Sequence, residues 1–247
     1  MRLAILTDLH ANREAVEACL EHAHAQQAEA FAFLGDLVGY GADPAWVVRT
    51  VMDYAKQGAF VVLGNHDESV AVAERQTMHA AAKEAVHWTR NQLGETELNF
   101  LRSLPLQREV GDVLLVHANA WAPAGWDYVQ GNMEAARSML ATRHALTFCG
   151  HEHAPALYHM SATGKTSQFT PASGEAIPLS RARRWLAIPG ACGQPRDGNP
   201  AAAYAMFDTR SWELRFFRVP YAAQVAAEKV LAAGLPPALA HRLLTGD

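Results

Sequence analysis

Five short apolar runs in this chain each end in residues that can hold a metal ion. Leu3-Ala-Ile-Leu-Thr7 leads into Asp8 and His10, Phe31-Ala-Phe-Leu34 into Gly35-Asp36, and Phe60-Val-Val-Leu63 into Gly64-Asn65-His66-Asp67. Val113-Leu-Leu-Val116 leads into His117, and Leu146-Thr-Phe-Cys149 into Gly150-His151-Glu152-His153. Carboxylate oxygen, amide oxygen and imidazole nitrogen are hard or borderline ligands, and no thiolate joins them except Cys149 as a bystander. Each residue alone has an ordinary explanation. Gly-Asp after an apolar run is a common turn, Gly-Asn-His-Asp is a tight turn, and a lone His is often a satisfied buried one. Repetition at five successive run ends makes coincidence the poorer account.

Asp8, His10, Asp36, Asn65, His117, His151 and His153 are too many donors for one ion and suit two. Two divalent ions about 3.5–4 Å apart need a bridging carboxylate and can hold a hydroxide between them. Asp36 is the natural bridge, because it stands alone after its run. Such ions bring the pKa of bound water toward about 7 and neutralise the oxygens of a phosphoryl group under in-line attack. Asn65 offers a neutral oxygen, which leaves its ion a stronger Lewis acid. His66 lies beside the donor set and is the candidate acid for the leaving alkoxide. Asp67 or another acid is expected to hold its tautomer.

The runs must be strands with these residues at their carboxyl ends, where α/β proteins place their chemistry. Asn12 is expected to cap a helix of about four turns that buries Ala15, Val16, Cys19, Leu20 and Ala23. His22 and His24 sit in its polar last turn, where an imidazole suits the helix dipole. Asp43-Pro44 reads as a cap and first residue of a helix ending near Gly58. Glu68 to about Leu93 is mostly helical, closed by Gly94, and a shorter helix precedes Pro105. Residues 68–104 thus form a helical insertion placed to cover or flank the crevice, with His79 and His87 read as exposed or packing residues. The aromatic loop Ala118 to Tyr128 is either a pocket wall or packing. Asn132 is expected to cap a helix reaching about Thr142. Beyond His153 the pattern changes to short β-like pieces: Ala156 to Met160, Lys165 to Thr170, Trp185 to Ile188, Ala202 to Phe207 and Trp212 to Val219. They suggest a second, mainly antiparallel sheet packed on the first. Tyr221 to Ala233 reads as a helix, and Pro236-Pro237 starts a last short one.

A chain of 247 residues, 50% hydrophobic, is long enough for one sizeable core. No linker-like run divides it, so residues 1–247 are expected to form a single domain. The formal charge of −4 offers no basic field, and nucleic acid is not an expected partner. Cys19, Cys149 and Cys192 show no CxxC spacing and read as reduced thiols. The first apolar run is too short for a signal peptide, and none has transmembrane length. A cytoplasmic protein without membrane association is expected.

In order and rough spacing, Asp8-Leu9-His10, Gly35-Asp36, Gly64-Asn65-His66-Asp67, Val116-His117 and Gly150-His151-Glu152-His153 resemble the motif series of the calcineurin-like metallophosphoesterases. Gly35 to Pro44 and Pro189 to Gly198 look like the small bacterial phosphodiesterase branch of that family. The resemblance implies a four-layer α/β/β/α sandwich, in which two mixed β-sheets pack face to face between helices. It implies one ion held by Asp8, His10, Asp36 and His153, a second held by Asp36, Asn65, His117 and His151, and His66 as the catalytic imidazole. Ala118-Asn119 and Glu152 depart from the residues common in the branch without removing a ligand. Arg196 is a candidate phosphate contact, with a surface or structural role equally open.

The expected activity is hydrolysis of phosphodiesters by a hydroxide held between two divalent transition-metal ions, with His66 assisting the leaving group. Mn is the first choice of metal, with Fe, Zn, Ni or Co as alternatives, since cell supply and affinity order decide among them. A phosphomonoesterase and a non-catalytic metal-binding module are the competing readings; the latter predicts missing ligands, and none is missing. The expected partner is a small phosphorylated substrate, and the sequence allows a homo-oligomer.

Overall fold

The computed structural model describes residues 1–74 and 78–247, and among these are twelve strands and eight α-helices. The first half contains β1 (Arg2–Leu6), α1 (Arg13–Ala25), β2 (Ala30–Phe33), α2 (Pro44–Lys56), β3 (Phe60–Val61), α3 (Asn65–Ala71), α4 (Ala80–Gln92), α5 (Glu95–Ser103), β4 (Gln107–Val110) and β5 (Val113–Val116). The second half contains α6 (Asn132–Leu140), β6 (Leu146–Phe148), β7 (Ala156–Met160), β8 (Thr166–Phe169), β9 (Ile177–Pro178), β10 (Arg184–Ile188), β11 (Ala202–Asp208), β12 (Glu213–Val219), α7 (Ala223–Ala232) and α8 (Pro237–Thr245).

The ligand-bearing runs form strands because they are continuous apolar segments buried on both faces. β1, β2 and β3 pair in parallel, and Leu3 stands opposite Ala30 across the β1–β2 pair. The sequence pattern suggested that the later strands make the second sheet among themselves. They divide instead between both sheets, whose orders are β3-β2-β1-β11-β12-β9 and β4-β5-β6-β10-β7-β8. β11 lies antiparallel to β1, with Leu3 opposite Phe207, while β10 lies parallel to β6. Each sheet is therefore mixed. Strands that are apolar on both faces carry no alternation to mark their partner, so only the long-range register decides.

Alternate residues of each strand serve different layers. Leu3, Ile5, Leu115, Phe148, Phe207 and Leu214 fill the space between the sheets. Ala4, Leu6, Phe31 and Phe33 face the other way, onto α1, α2, α3, α4 and α5. Val116, Tyr158 and Leu186 receive α6 on the outer face of the second sheet. The order of layers is α/β/β/α. Each fully buried Leu, Ile or Phe contributes about 1.5–3 kcal/mol relative to exposure.

The helix starts follow local chemistry. Asn12 caps α1, its Oδ1 accepting the Ala15 N–H at 3.2 Å, and the predicted apolar face of this helix is buried. Pro44 begins α2 with Asp43 at the N-cap position as expected, but the Asp43 side chain makes no cap bond: its carboxylate accepts from Lys229 Nζ at 2.8 Å. Gly131, not Asn132, is the residue before α6, which ends at Leu140. The helix expected from Glu68 to Leu93 corresponds to α3 and α4, and its residues 75–77 lie outside the described residues. Among the described residues no helix is long and apolar enough to cross a membrane.

Candidate metal centre

The strand ends deliver their donors through tight turns in unusual backbone. Asp8 (φ 53°), His10 (φ 46°), Asp36 (φ 51°), His151 (φ 68°) and His153 (φ 66°) all lie in the left-handed region. Asp and His tolerate that region better than branched residues, at a cost of about 1 kcal/mol each. Backbone bonds stitch the turns together: Asp8 N donates to Gly35 O at 3.1 Å, His10 N to Asp36 O at 2.9 Å, and Gly150 N to His117 O at 2.7 Å. Two glycines permit this approach. A Cβ on Gly64 would collide with the backbone and carboxylate of Asp36, and one on Gly150 with Thr7 and Asp8.

The donors gather into two buried groups, Asp8–His10–His153 and Asp36–His117–His151, with ligand atoms within 4.8 Å of one another in each. In the first group, His10 Nε2 and His153 Nε2 stand 3.1 Å apart, and Asp8 Oδ1 is 3.3 Å from His153 Nε2. His10 Nδ1 faces Val38 O at 3.2 Å and His153 Nδ1 faces Gln194 O at 2.6 Å. These carbonyls take the Nδ1 protons and leave both Nε2 lone pairs converging. In the second group, His117 Nδ1 faces Leu34 O at 2.7 Å, while its Nε2 meets Asn65 Oδ1 at 3.0 Å and Asp36 Oδ2 at 3.5 Å. His151 differs: its Nε2 faces Trp126 O at 3.0 Å, which leaves Nδ1 for the group. Asp36 Oδ2 is also 3.8 Å from His10 Nε2, so one carboxylate oxygen lies within 4 Å of an imidazole in each group.

The electrostatics of the site suit donor roles. Burial holds the His10 and His66 imidazoles below their usual pKa, and burial with the neighbouring His117 takes His151 down to about 3. Burial opposes ionisation of Asp8 and Asp36, yet the imidazoles around them, His153 for Asp8 and His117 for Asp36, bring both below the usual carboxylate range. His117 is also opposed by burial, but the Asp36 carboxylate raises it to about 9. Asp8 and Asp36 are thus favoured as carboxylates, and His10, His66 and His151 are pushed toward the neutral imidazole. Two imidazole lone pairs 3.1 Å apart in a buried site repel unless a proton or cation lies between them. Buried carboxylates, oriented imidazoles and one amide oxygen are the donor set that divalent transition ions take, so the residues present fit such ions.

His66 is buried beside this centre, its ring 5.1 Å from that of His10 and 4.5 Å from that of Tyr40. Its Nδ1 has no hydrogen-bond partner among the described residues. Asp67 does not hold it, contrary to expectation. The Asp67 carboxylate accepts from Leu37 N, Val38 N and Gly64 N at 2.9, 3.2 and 3.0 Å. Burial and the charge of Asp36 push Asp67 up to about 8 against the Gly64 and Val38 amide donors. The backbone N–H of His66, at the start of α3, donates to Asp36 Oδ1 at 2.8 Å.

A cleft of about 460 Å³ opens onto the centre, lined by Tyr40, Asn65, His66, Met78, His79, Trp126, Tyr128 and His151 among others. The aromatic loop serves both roles considered for it. Trp126 is buried and donates to Glu68 Oε2 at 2.9 Å, whereas Tyr128 is exposed and stacks on His151 with ring centroids 4.0 Å apart. His79 and His87 are both exposed as expected; His87 pairs with Glu74, and His79 also lines the cleft. Tyr128 belongs to the aromatic loop read from sequence, whereas Tyr40 and Met78 escaped singling out because they are solitary residues on separate loops. The Trp-rich composition of 118–128 was the one available signal.

The profile of the calcineurin-like phosphoesterase superfamily domain matches residues 1–211. The crystal structure of a metallophosphoesterase from Sphaerobacter thermophilus is similar at a TM-score of 0.88 and 35% identity, covering 100% of this chain and 99% of that one. An uncharacterized protein of Methanocaldococcus jannaschii is 31% identical over 249 residues, which cover 99% of this chain and 98% of that protein. A hypothetical protein of Pyrococcus horikoshii shares the fold at a TM-score of 0.80 and 18% identity, over 100% of this chain and 98% of that one. The matched residues include both buried donor groups, and the chain belongs to the calcineurin-like phosphoesterase superfamily.

Proposed function

We propose that the protein is a metal-dependent hydrolase of phosphodiester bonds. The observation that carries this reading is Asp36, whose Oδ2 lies 3.8 Å from His10 Nε2 and 3.5 Å from His117 Nε2 and so serves both donor groups. Asp8, His10, Asp36 and His153 would hold one ion, and Asp36, Asn65, His117 and His151 the other. Divalent transition ions in those places, Mn²⁺ first, supply Lewis acidity and activate water near neutral pH.

The chain's own residues orient and protonate. The Val38, Gln194, Leu34 and Trp126 carbonyls fix the ligand imidazoles, so no reorganisation is required during reaction. His66 Nδ1 has no hydrogen-bond partner among the described residues, and His66 lines the cleft. It is therefore placed to hand a proton to the departing alkoxide. Tyr40, Met78, Trp126 and Tyr128 give the cleft aromatic and apolar walls. Such walls favour a diester, with one negative charge and two organic arms, over a dianionic monoester.

The test is hydrolysis of an aryl phosphodiester and the matching monoester by chelator-stripped protein, before and after Mn²⁺ is added. Activity restored in the wild type and absent from D36N supports the reading, and the diester should be the faster substrate. No hydrolysis with Mn, Fe, Zn, Ni or Co would sink it in favour of a binding module.

A further inference from the structure

The loop from Pro189 to Gly198 leaves β10 and is tied to the turns that carry the donors. Ala191 N donates to His153 O at 3.1 Å, Cys192 N to Thr7 O at 2.9 Å, and Gly193 N to Asp8 O at 2.8 Å. Gln194 in this loop is 1% exposed and acts at both ends. Its backbone carbonyl faces His153 Nδ1 at 2.6 Å, and its side-chain Oε1 accepts from Arg196 Nη2 at 2.8 Å and Nε at 3.3 Å. One buried residue therefore fixes a guanidinium relative to a candidate metal ligand.

Arg196 reaches over the Tyr40 ring, with its guanidinium carbon 5.5 Å from the centroid. Tyr40 in turn stands 4.7 Å from the His10 ring and 4.5 Å from the His66 ring. No carboxylate pairs with Arg196 among the described residues. A guanidinium carries five N–H donors, more than Gln194 and Tyr40 can accept. A half-buried cation with spare donors, held still beside a site for phosphoryl groups, is suited to a phosphoryl oxygen.

We propose that Arg196 is a substrate-binding residue that donates to a non-bridging oxygen of the phosphoryl group, from the Tyr40 side of the cleft. The proposal rests on the phosphoesterase reading above and adds a contact that the metal ligands do not provide. Gln194 is the positioning residue that keeps this contact in register with His153.

The experiment compares metal-loaded wild type, R196A and R196K. It measures kcat/KM on an aryl phosphodiester, affinity for inorganic phosphate by calorimetry, bound metal and thermal midpoint. R196A should keep its metal and midpoint, and lose about 10- to 100-fold in both kcat/KM and phosphate affinity. Added guanidinium ion should restore part of the activity, and R196K, which keeps the charge without the fork, should fall between. An R196A indistinguishable from wild type in both measurements overturns the inference. So does a loss of activity that merely follows loss of metal, which would make Arg196 structural. If R196A does not fold, R196K decides by the same criteria. A wild type inactive on every phosphoester overturns the reading of function instead, and phosphate affinity still decides the role of Arg196.

Discussion

Four imidazoles of the centre are each held by a backbone carbonyl, whereas His66 Nδ1 has no hydrogen-bond partner among the described residues. Ligands must stay still, but a proton donor must exchange with substrate and solvent. H66A should therefore retain bound metal and lose about 10²–10⁴-fold in kcat on an alkyl phosphodiester. The loss should be much smaller on an aryl diester, whose leaving group needs little protonation. Equal losses on the two substrates would remove the acid role. At this scale the donors were legible because each lies just after an apolar strand in sequence. The partner of His66 was misread because Asp67 is adjacent. Consecutive residues on α3 point about 100° apart, so Asp67 turns toward Leu37, Val38 and Gly64. Arg196 was visible as a residue, but its link to His153 passes through Gln194 and across the fold.

Helix α1 shows how an element serves the centre without touching it. Asn12 caps the helix with Oδ1, and its Nδ2 donates to Gly193 O at 2.7 Å and to Tyr221 Oη at 3.2 Å. N12A removes the cap and orphans the Gly193 carbonyl beside the Gln194 loop. It should lower stability by about 1–3 kcal/mol in denaturant titration. It should also weaken metal retention, because that loop orients His153. The ligand-bearing strands and most helices were legible from apolar runs and caps. β4 was not: Gln107–Val110 is polar, and its first three residues are exposed at a sheet edge, so no buried pattern marks it. Its place comes from antiparallel pairing with β5, in which Gln107 stands opposite Val116.

Both donor groups draw on both sheets. Asp8 and His10 follow β1 of one sheet while His153 follows β6 of the other, and Asp36 follows β2 while His117 follows β5. Ions bound there would tie the sandwich together and offset the left-handed turns. At a hundredfold excess over Kd, a bound ion adds about 2.7 kcal/mol. Chelation should accordingly lower the thermal midpoint by about 5–10 °C, and Mn²⁺ should restore it. A midpoint unmoved by chelator and metal would count against occupied sites. We propose that residues 1–247 melt as one domain, which a single calorimetric transition would support. The four layers could be expected from the motif series, but the sheet each later strand joins could not, since that choice rests on contacts such as Leu3 opposite Phe207.

The inner apolar layer has a consequence beyond stability. Phe148 of one sheet and Phe207 of the other meet with ring centroids 5.9 Å apart, and such packing sets the gap across which the two sets of strand ends face each other. The greasy filling thus behaves as a machinist's shim: its thickness gauges the distance between donors that no covalent bond connects. Trimming it, as in F207L, leaves every polar group untouched and should still detune the chemistry, so the tolerances of the centre are written partly in hydrocarbon.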